Sequence, residues 1–191
     1  MKKLVLLDLD NTLIHTTNSK DENYNYSFII NNYTYNGYFR PNLKEFLSFL
    51  FENYNVGIFT ASTELYANNI LKSFLSSGII NNIQYDKLVT ILLCRNDLVE
   101  YKLSSCSYIT IKSLEIASKK HNIPIDNILL IDDWNDIDNP YTNQIYSKNI
   151  YWEYESYTDY LSTKSYDSDF NKEYHKDNGL LNVIEYLKTN F

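Results

Sequence analysis

The sequence predicts a three-layer α/β domain built on a central parallel sheet. Three observations lead there. Leu4-Val5-Leu6-Leu7, Asn55-Val56-Gly57-Ile58-Phe59 and Asn127–Ile131 are short runs dominated by apolar residues. They lack polar alternation, as strands covered on both faces do. Stretches of helical periodicity separate them, and strands alternating with helices build parallel sheets. Each run also stops at a polar residue, namely Asp8, Thr60 and Asp132. In an open α/β sheet that places all three at the carboxyl edge, where ligands bind.

The elements follow in order. After the first strand, residues 23–39 alternate roughly between Tyr, Asn, Ser and Ile. With Asn36-Gly37 as the turn signal, they predict a small β-hairpin. Pro41 opens a helix whose apolar face is Leu43, Phe46, Leu47 and Leu50. The second buried strand ends in Thr60, and Ser62 is placed to cap the next helix. That helix buries Ala67, Ile70, Leu71 and Phe74, and Gly78 stops it. Leu88–Leu93 reads as a strand, and Tyr108–Ile111 as another. Lys112–His121 reads as a helix or its approach. The third buried strand runs into Asp132-Asp133. Residues 153–178 are polar, acidic and aromatic without stable periodicity, which reads as a long loop or insertion. Leu180, Ile184 and Leu187 mark a closing helix. The expected organisation is one domain over residues 1–191.

Composition narrows the function. Of 191 residues, 44% are hydrophobic, enough for a sizeable core. The net charge of −7 argues against a nucleic-acid-binding surface, which needs clustered Lys and Arg. Met1-Lys2-Lys3 before an apolar run imitates a signal peptide, but Asp8 and Asp10 interrupt it too early. No run is long enough to span a membrane. Cys94 and Cys106 have no metal or redox spacing. Free thiols in a reducing compartment, nuclear or cytoplasmic, are expected. Nineteen tyrosines against four glycines is a compositional bias, concentrated in loops.

The chemistry centres on Asp8-Leu9-Asp10. Two carboxylates this close repel unless a cation or shared proton compensates, and a divalent metal would do so. A carboxylate pair, a hydroxyl at Thr60, a lysine and the trailing Asp132-Asp133 suit phosphoryl transfer. One carboxylate can attack phosphorus while a second moves the proton. Magnesium favours a hard oxygen shell with one or two carboxylates plus waters.

These residues carry a resemblance. Asp8-Leu9-Asp10-Asn11-Thr12-Leu13 resembles the first motif of the haloacid dehalogenase (HAD) superfamily of phosphatases. Ile58-Phe59-Thr60-Ala61-Ser62 resembles its second motif and Ile131-Asp132-Asp133 its fourth. Leu13-Ile14-His15, Arg40-Pro41 with Glu45-Phe46-Leu47, and Tyr66-Ala67 resemble the FCP/SCP-like branch. Leu93-Cys94-Arg95 and Ile150-Tyr151-Trp152 are weaker echoes of it. That branch acts on the C-terminal domain of RNA polymerase II and related phosphoproteins. The resemblance implies a Rossmann-like HAD fold with a small β-hairpin insertion and no large cap domain. It implies Asp8 as nucleophile and magnesium ligand, and Asp10 as general acid/base whose backbone carbonyl also binds the metal. It implies Thr60, Ala61, Arg95 and Lys112 around the substrate, with Lys112 offsetting charge at the aspartyl phosphate. Asp132 and Asp133 complete the metal set. Asp133 stands where the branch often has Asn, and Trp134-Asn135 replaces its Ser-Pro. Lys102, Lys119 and Lys120 compete with Lys112 for the lysine role.

The expected activity is magnesium-dependent hydrolysis of phosphomonoesters through an aspartyl phosphate. With no large lid to exclude water, a phosphoserine or phosphothreonine on a protein is the expected substrate. Three other readings compete. A HAD phosphatase for nucleotides or polynucleotide ends would show a basic channel. A catalytically idle binding module can lose Asp8 or Asp10. A receiver-like signalling domain has its acidic pair first in the chain.

Overall fold

The computed structural model describes residues 2–17, 24–102, 108–132 and 178–191. Among these residues the main sheet has four strands: β1 (Leu4–Leu7), β5 (Asn55–Phe59), β6 (Leu92–Leu93) and β9 (Ile128–Ile131). Their spatial order is β6-β5-β1-β9, and every pairing is parallel. β1 lies inside, with Leu7 in register with Ile58 on one side and Ile131 on the other.

Alternation along the strands sorts the side chains into two cores. Val5 and Leu7 join Val56, Ile58, Leu129 and Ile131 on one face. There they meet α1 (Leu43–Asn53), α2 (Glu64–Ser76) and α5 (Gly179–Asn190) through residues such as Phe46, Ile70, Phe74 and Ile184. Leu4 and Leu6 join Phe59, Leu93 and Ile128 on the other face. Leu114 and Ala117 of α4 (Leu114–His121) cover that side. All four β1 side chains are fully buried. Each contributes about 1.5–3 kcal/mol by leaving water, so the strand that carries Asp8 is firmly anchored. The fold is thus three-layered and α/β, as expected.

A second sheet leaves β1 and returns to α1. β2 (Ile14–Thr17), β3 (Tyr26–Ile30) and β4 (Tyr33–Phe39) form an antiparallel sheet in the order β2-β4-β3. The hairpin exists, but its turn is not Asn36-Gly37. It is Asn31-Asn32, with φ of 49° and 67°. Two residues of positive φ form the two-residue turn that matches strand twist. Asn and Gly both reach that conformation, so sequence alone does not separate the two sites. Gly37 instead lies inside β4, paired with Thr16 on one side and Tyr26 on the other.

Two further corrections concern helices. Leu88–Leu93 is not one strand: α3 (Asn82–Thr90) occupies its first part, leaving only Leu92–Leu93 in the sheet. Asn81 and Gln84 form a capping box that starts α3, a signal the apolar run obscures. The cap of α2 is Thr63, whose hydroxyl accepts from the Tyr66 N–H at 3.3 Å. Ser62 is engaged elsewhere. Gly78 has φ 66°, the left-handed stop expected after α2. β7 (Val99–Lys102) and β8 (Tyr108–Ile111) pair as an antiparallel hairpin that delivers Lys112. The expected loop over residues 153–178 lies outside the described residues, except for Asn178, which precedes α5.

Candidate active site

Asp8 follows β1, Thr60 follows β5, and Asp132 follows β9. Parallel pairing brings these strand ends together, so residues up to 124 positions apart in sequence share one edge. Asp8, Thr60 and Asp132 are all buried. The Asp8 N–H donates to the Ile131 carbonyl at 2.9 Å, which extends the ladder one residue into the site.

Lys112 closes this half of the site. Its ammonium bridges Asp8 Oδ1 and Asp132 Oδ2, the latter at 2.6 Å. Burial alone would lower the Lys112 pKa, but the two carboxylates outweigh it and raise the value above its ordinary range. The lysine is therefore a fixed positive charge between two negative ones. Lys119 and Lys120 bond elsewhere, to Glu115 and Asp97, which removes two competitors.

Asp10 stands in a different environment. Residues 9–14 form a tight turn: Asn11 has φ 61°, and the N–H groups of Leu13 and Ile14 converge on the Leu9 carbonyl. Buried Arg40 braces this turn. Its Nη1 donates to the Thr12 carbonyl at 2.9 Å and its backbone N–H to the Leu13 carbonyl at 3.0 Å. The Asp10 carboxylate accepts from the Tyr66 hydroxyl on Oδ1 at 2.5 Å and from the Ser62 hydroxyl on Oδ2 at 3.0 Å. Burial first, then the Asp10 charge, raises the Tyr66 pKa far above that of an ordinary phenol, so the hydroxyl keeps its proton.

Thr60 Oγ1 accepts from the Ser62 N–H at 3.1 Å, and its own N–H donates to the Leu93 carbonyl at 3.0 Å. Exposed Arg95 lies at the rim: its Nε donates to the Ala61 carbonyl at 3.0 Å and its backbone N–H to the Ser62 carbonyl at 2.9 Å. The structure thus places Asp8, Lys112 and Asp132 in one cluster, with Asp10 held separately through Tyr66 and Ser62. Ala61 and Arg95 touch each other. Asp133 lies outside the described residues.

Ser62 and Tyr66 were not recognised as site residues from sequence. Both stand in stretches quoted for the resemblance, but their partner Asp10 is 52 and 56 positions away. No local spacing reveals such a bond.

The donor set can be tested against a magnesium ion. Asp8 and Asp132 present hard carboxylate oxygens close enough to share one ammonium. Among the described residues no cluster of three or more His, Cys, Asp or Glu side chains is set to hold a metal. Magnesium needs only one or two carboxylates with waters and a backbone carbonyl. Asp8, Asp132 and the Asp10 carbonyl fit that requirement.

A doubly covered parallel sheet with acidic strand ends and a small antiparallel insertion after the first strand is a HAD-type fold. The chain belongs to the NLI interacting factor-like phosphatase family, whose model matches residues 3–190. It is 37% identical over 103 residues to the CTD phosphatase-like protein 355R of Invertebrate iridescent virus 3, covering 49% of this chain and 54% of that one. It is 30% identical over 153 residues to the 355R protein of Invertebrate iridescent virus 6, covering 71% and 78%. The structure of Fcp1, an essential RNA polymerase II CTD phosphatase, has the same fold, with a TM-score of 0.57 and 19% identity. That match covers 98% of this chain and 62% of Fcp1. The chain therefore spans about half of the viral relative first named and under two thirds of Fcp1.

Proposed function

We propose that this chain is a magnesium-dependent phosphatase that removes phosphate from serine or threonine side chains of a protein, through an aspartyl phosphate on Asp8. The observation that carries the reading is the pairing of two unlike carboxylates. Asp8 is bound by a lysine that also holds Asp132, whereas among the described residues the Asp10 carboxylate is bound by two hydroxyls.

Each residue then has a task. A carboxylate oxygen of Asp8 attacks phosphorus as the ester oxygen leaves. Asp10 gives its proton to that oxygen, as a general acid does. In the second half, Asp10 takes a proton from water as the water attacks the aspartyl phosphate. Inorganic phosphate departs and the Asp8 carboxylate is restored. Lys112 and the Thr60 hydroxyl hold phosphoryl oxygens, and Lys112 limits repulsion between Asp8 and the incoming dianion. Arg95 and Ala61, at the rim, are placed to meet the polypeptide that bears the phosphate. Asp8, Asp132, the Asp10 carbonyl and Asp133 would hold magnesium, which when bound would supply charge neutralisation for the phosphoryl oxygens.

The relatives' names support the substrate class: Fcp1 is described as an RNA polymerase II CTD phosphatase and the viral protein as CTD phosphatase-like. The fold agrees: the small antiparallel sheet and α1 are all that lies between β1 and β5 among the described residues, so no large lid is inserted there. Among the described residues no helix is long and apolar enough to cross a membrane.

The test is turnover of p-nitrophenyl phosphate with magnesium, and its loss in Asp8→Asn or with chelator. Full activity in Asp8→Asn overturns the mechanism. A phosphoserine and phosphothreonine peptide panel is then compared with nucleotides and polynucleotide 3′-phosphate ends. Preference for the latter two overturns the substrate class.

A further inference from the structure

The hydroxyl of Tyr66 that holds Asp10 is itself held. Thr16 Oγ1 lies 2.6 Å from Tyr66 Oη and 2.7 Å from Tyr26 Oη. The direction of these bonds follows from counting protons, because each hydroxyl carries one. Tyr66 spends its proton on the Asp10 carboxylate, so its oxygen must accept from Thr16. Thr16 has then spent its proton, so its oxygen must accept from Tyr26. The three hydroxyls form one directed chain, Tyr26 to Thr16 to Tyr66 to Asp10. Aligned hydrogen bonds polarise one another, so each strengthens the next.

The small sheet is built to permit this chain. Thr16, Gly37 and Tyr26 form a single row across β2, β4 and β3. Tyr26 reaches Thr16 only by laying its ring across the middle residue. A Cβ on Gly37 would collide with both Cζ and Oη of Tyr26 and with the His15 carbonyl. The glycine is thus a gap that lets one outer strand touch the other. Phe28 and Tyr35 pack edge-on against the Tyr66 ring, each at 5.6 Å between centroids, and fix its orientation.

We propose that Thr16 and Tyr26 are positioning residues for Asp10, acting through Tyr66, and that Gly37 exists in β4 to let them meet. The small sheet then orients, through Tyr66, the carboxylate that moves the proton. This inference rests on the reading of Asp10 as general acid/base.

The test uses two substrates whose leaving groups differ in their need for a proton. p-Nitrophenolate leaves unprotonated, whereas a serine alkoxide does not. The second-order constant kcat/KM reports events up to departure of the leaving group. Thr16→Val and Tyr26→Phe are expected to lower kcat/KM on a phosphoserine peptide about tenfold, the worth of one buried hydrogen bond to an ordered site. On p-nitrophenyl phosphate they leave kcat/KM within about twofold of the wild type. Thr16→Ser restores the peptide rate, because it keeps the hydroxyl. Gly37→Ala shows the same substrate-selective loss. Equal losses on both substrates, or no loss on either, overturn the relay. Failure of the parent reading looks different: the wild-type chain itself then turns over neither substrate, and the relay falls with it.

Discussion

Asp8 and Asp10 are separated by one residue, yet the chain surrounds them in opposite ways. Asp8 sits among charges, with Lys112 and Asp132 against it and little solvent. Asp10 sits among neutral donors, with Tyr66 on one oxygen and Ser62 on the other. A nearby cation fixes a carboxylate as an anion, which suits a nucleophile and metal ligand. Neutral hydroxyls orient a carboxylate without adding a full charge, which suits a group that must gain and lose a proton in each cycle. Two like residues gain different chemistry from the elements that fold onto them. β8 and β9 deliver the charges, while α2 and the turn before it deliver the hydroxyls.

The comparison breaks most completely at Asp8. Asp8→Asn is expected to abolish turnover, by about 10³-fold or more, with an unchanged far-ultraviolet circular dichroism spectrum. Retained turnover would mean that the charged half of the site is not where phosphorus is attacked.

Lys112→Met probes the same half through its cation. It leaves Asp8 and Asp132 buried against each other, so stability should fall by about 3–5 kcal/mol, read as the urea midpoint multiplied by the m-value. Added magnesium should recover part of that loss, because a divalent ion can replace the ammonium between the carboxylates. No recovery would argue against a metal held by Asp8 and Asp132.

Tyr66→Phe probes the neutral half. Removing a hydrogen bond to a carboxylate costs about 1.5–3 kcal/mol, so kcat on a phosphopeptide should drop roughly 10- to 100-fold. The urea midpoint should change less than in Lys112→Met, and magnesium should not rescue it. If both variants respond alike to magnesium, the two halves are not separate.

The smallest effect is at the rim, where neither carboxylate is touched. Asp97 accepts from the Cys94 N–H and pairs with Lys120, bracing the turn that carries Arg95. Burial raises its pKa, but those two partners outweigh burial and hold it below the ordinary value of 3.8. Its contribution to stability is therefore present above that value and is lost as pH falls through the lower folded-state value. Asp97→Asn should flatten a small part of the acid unfolding curve and leave kcat unchanged. A changed kcat would make this turn part of the reacting centre.

Much of the fold was legible because it rests on one-dimensional patterns. Buried parallel strands read as unbroken apolar runs, and β1, β5 and β9 all follow that rule. Helices α1, α2 and α5 bury the residues their periodicity marks. The charged half of the site was legible too, since Asp8 and Asp132 end strands and Lys112 follows one. The neutral half was not. Tyr66 and Ser62 meet Asp10 only after α2 packs beside the small sheet, and Thr16 meets Tyr26 only across Gly37. Asn36-Gly37 misled because glycine has two uses, a left-handed turn or an absent side chain, and the sequence does not say which. Leu88–Leu93 misled because a short apolar run suits the end of a helix as well as a strand.

The placement of β1 has a consequence for how the molecule is made. Its first partner, β5, begins at residue 55, and its second, β9, begins at residue 128. A ribosome delivers the chain from its amino end at about 5–20 residues per second. Asp8 therefore emerges first and waits several seconds for Lys112 and Asp132. Once β5 has paired, β1 still has one edge uncovered until β9 arrives, and unpaired strand edges invite other chains. With β1 as an inner strand, the acidic edge is complete only once Asp132 has been synthesised.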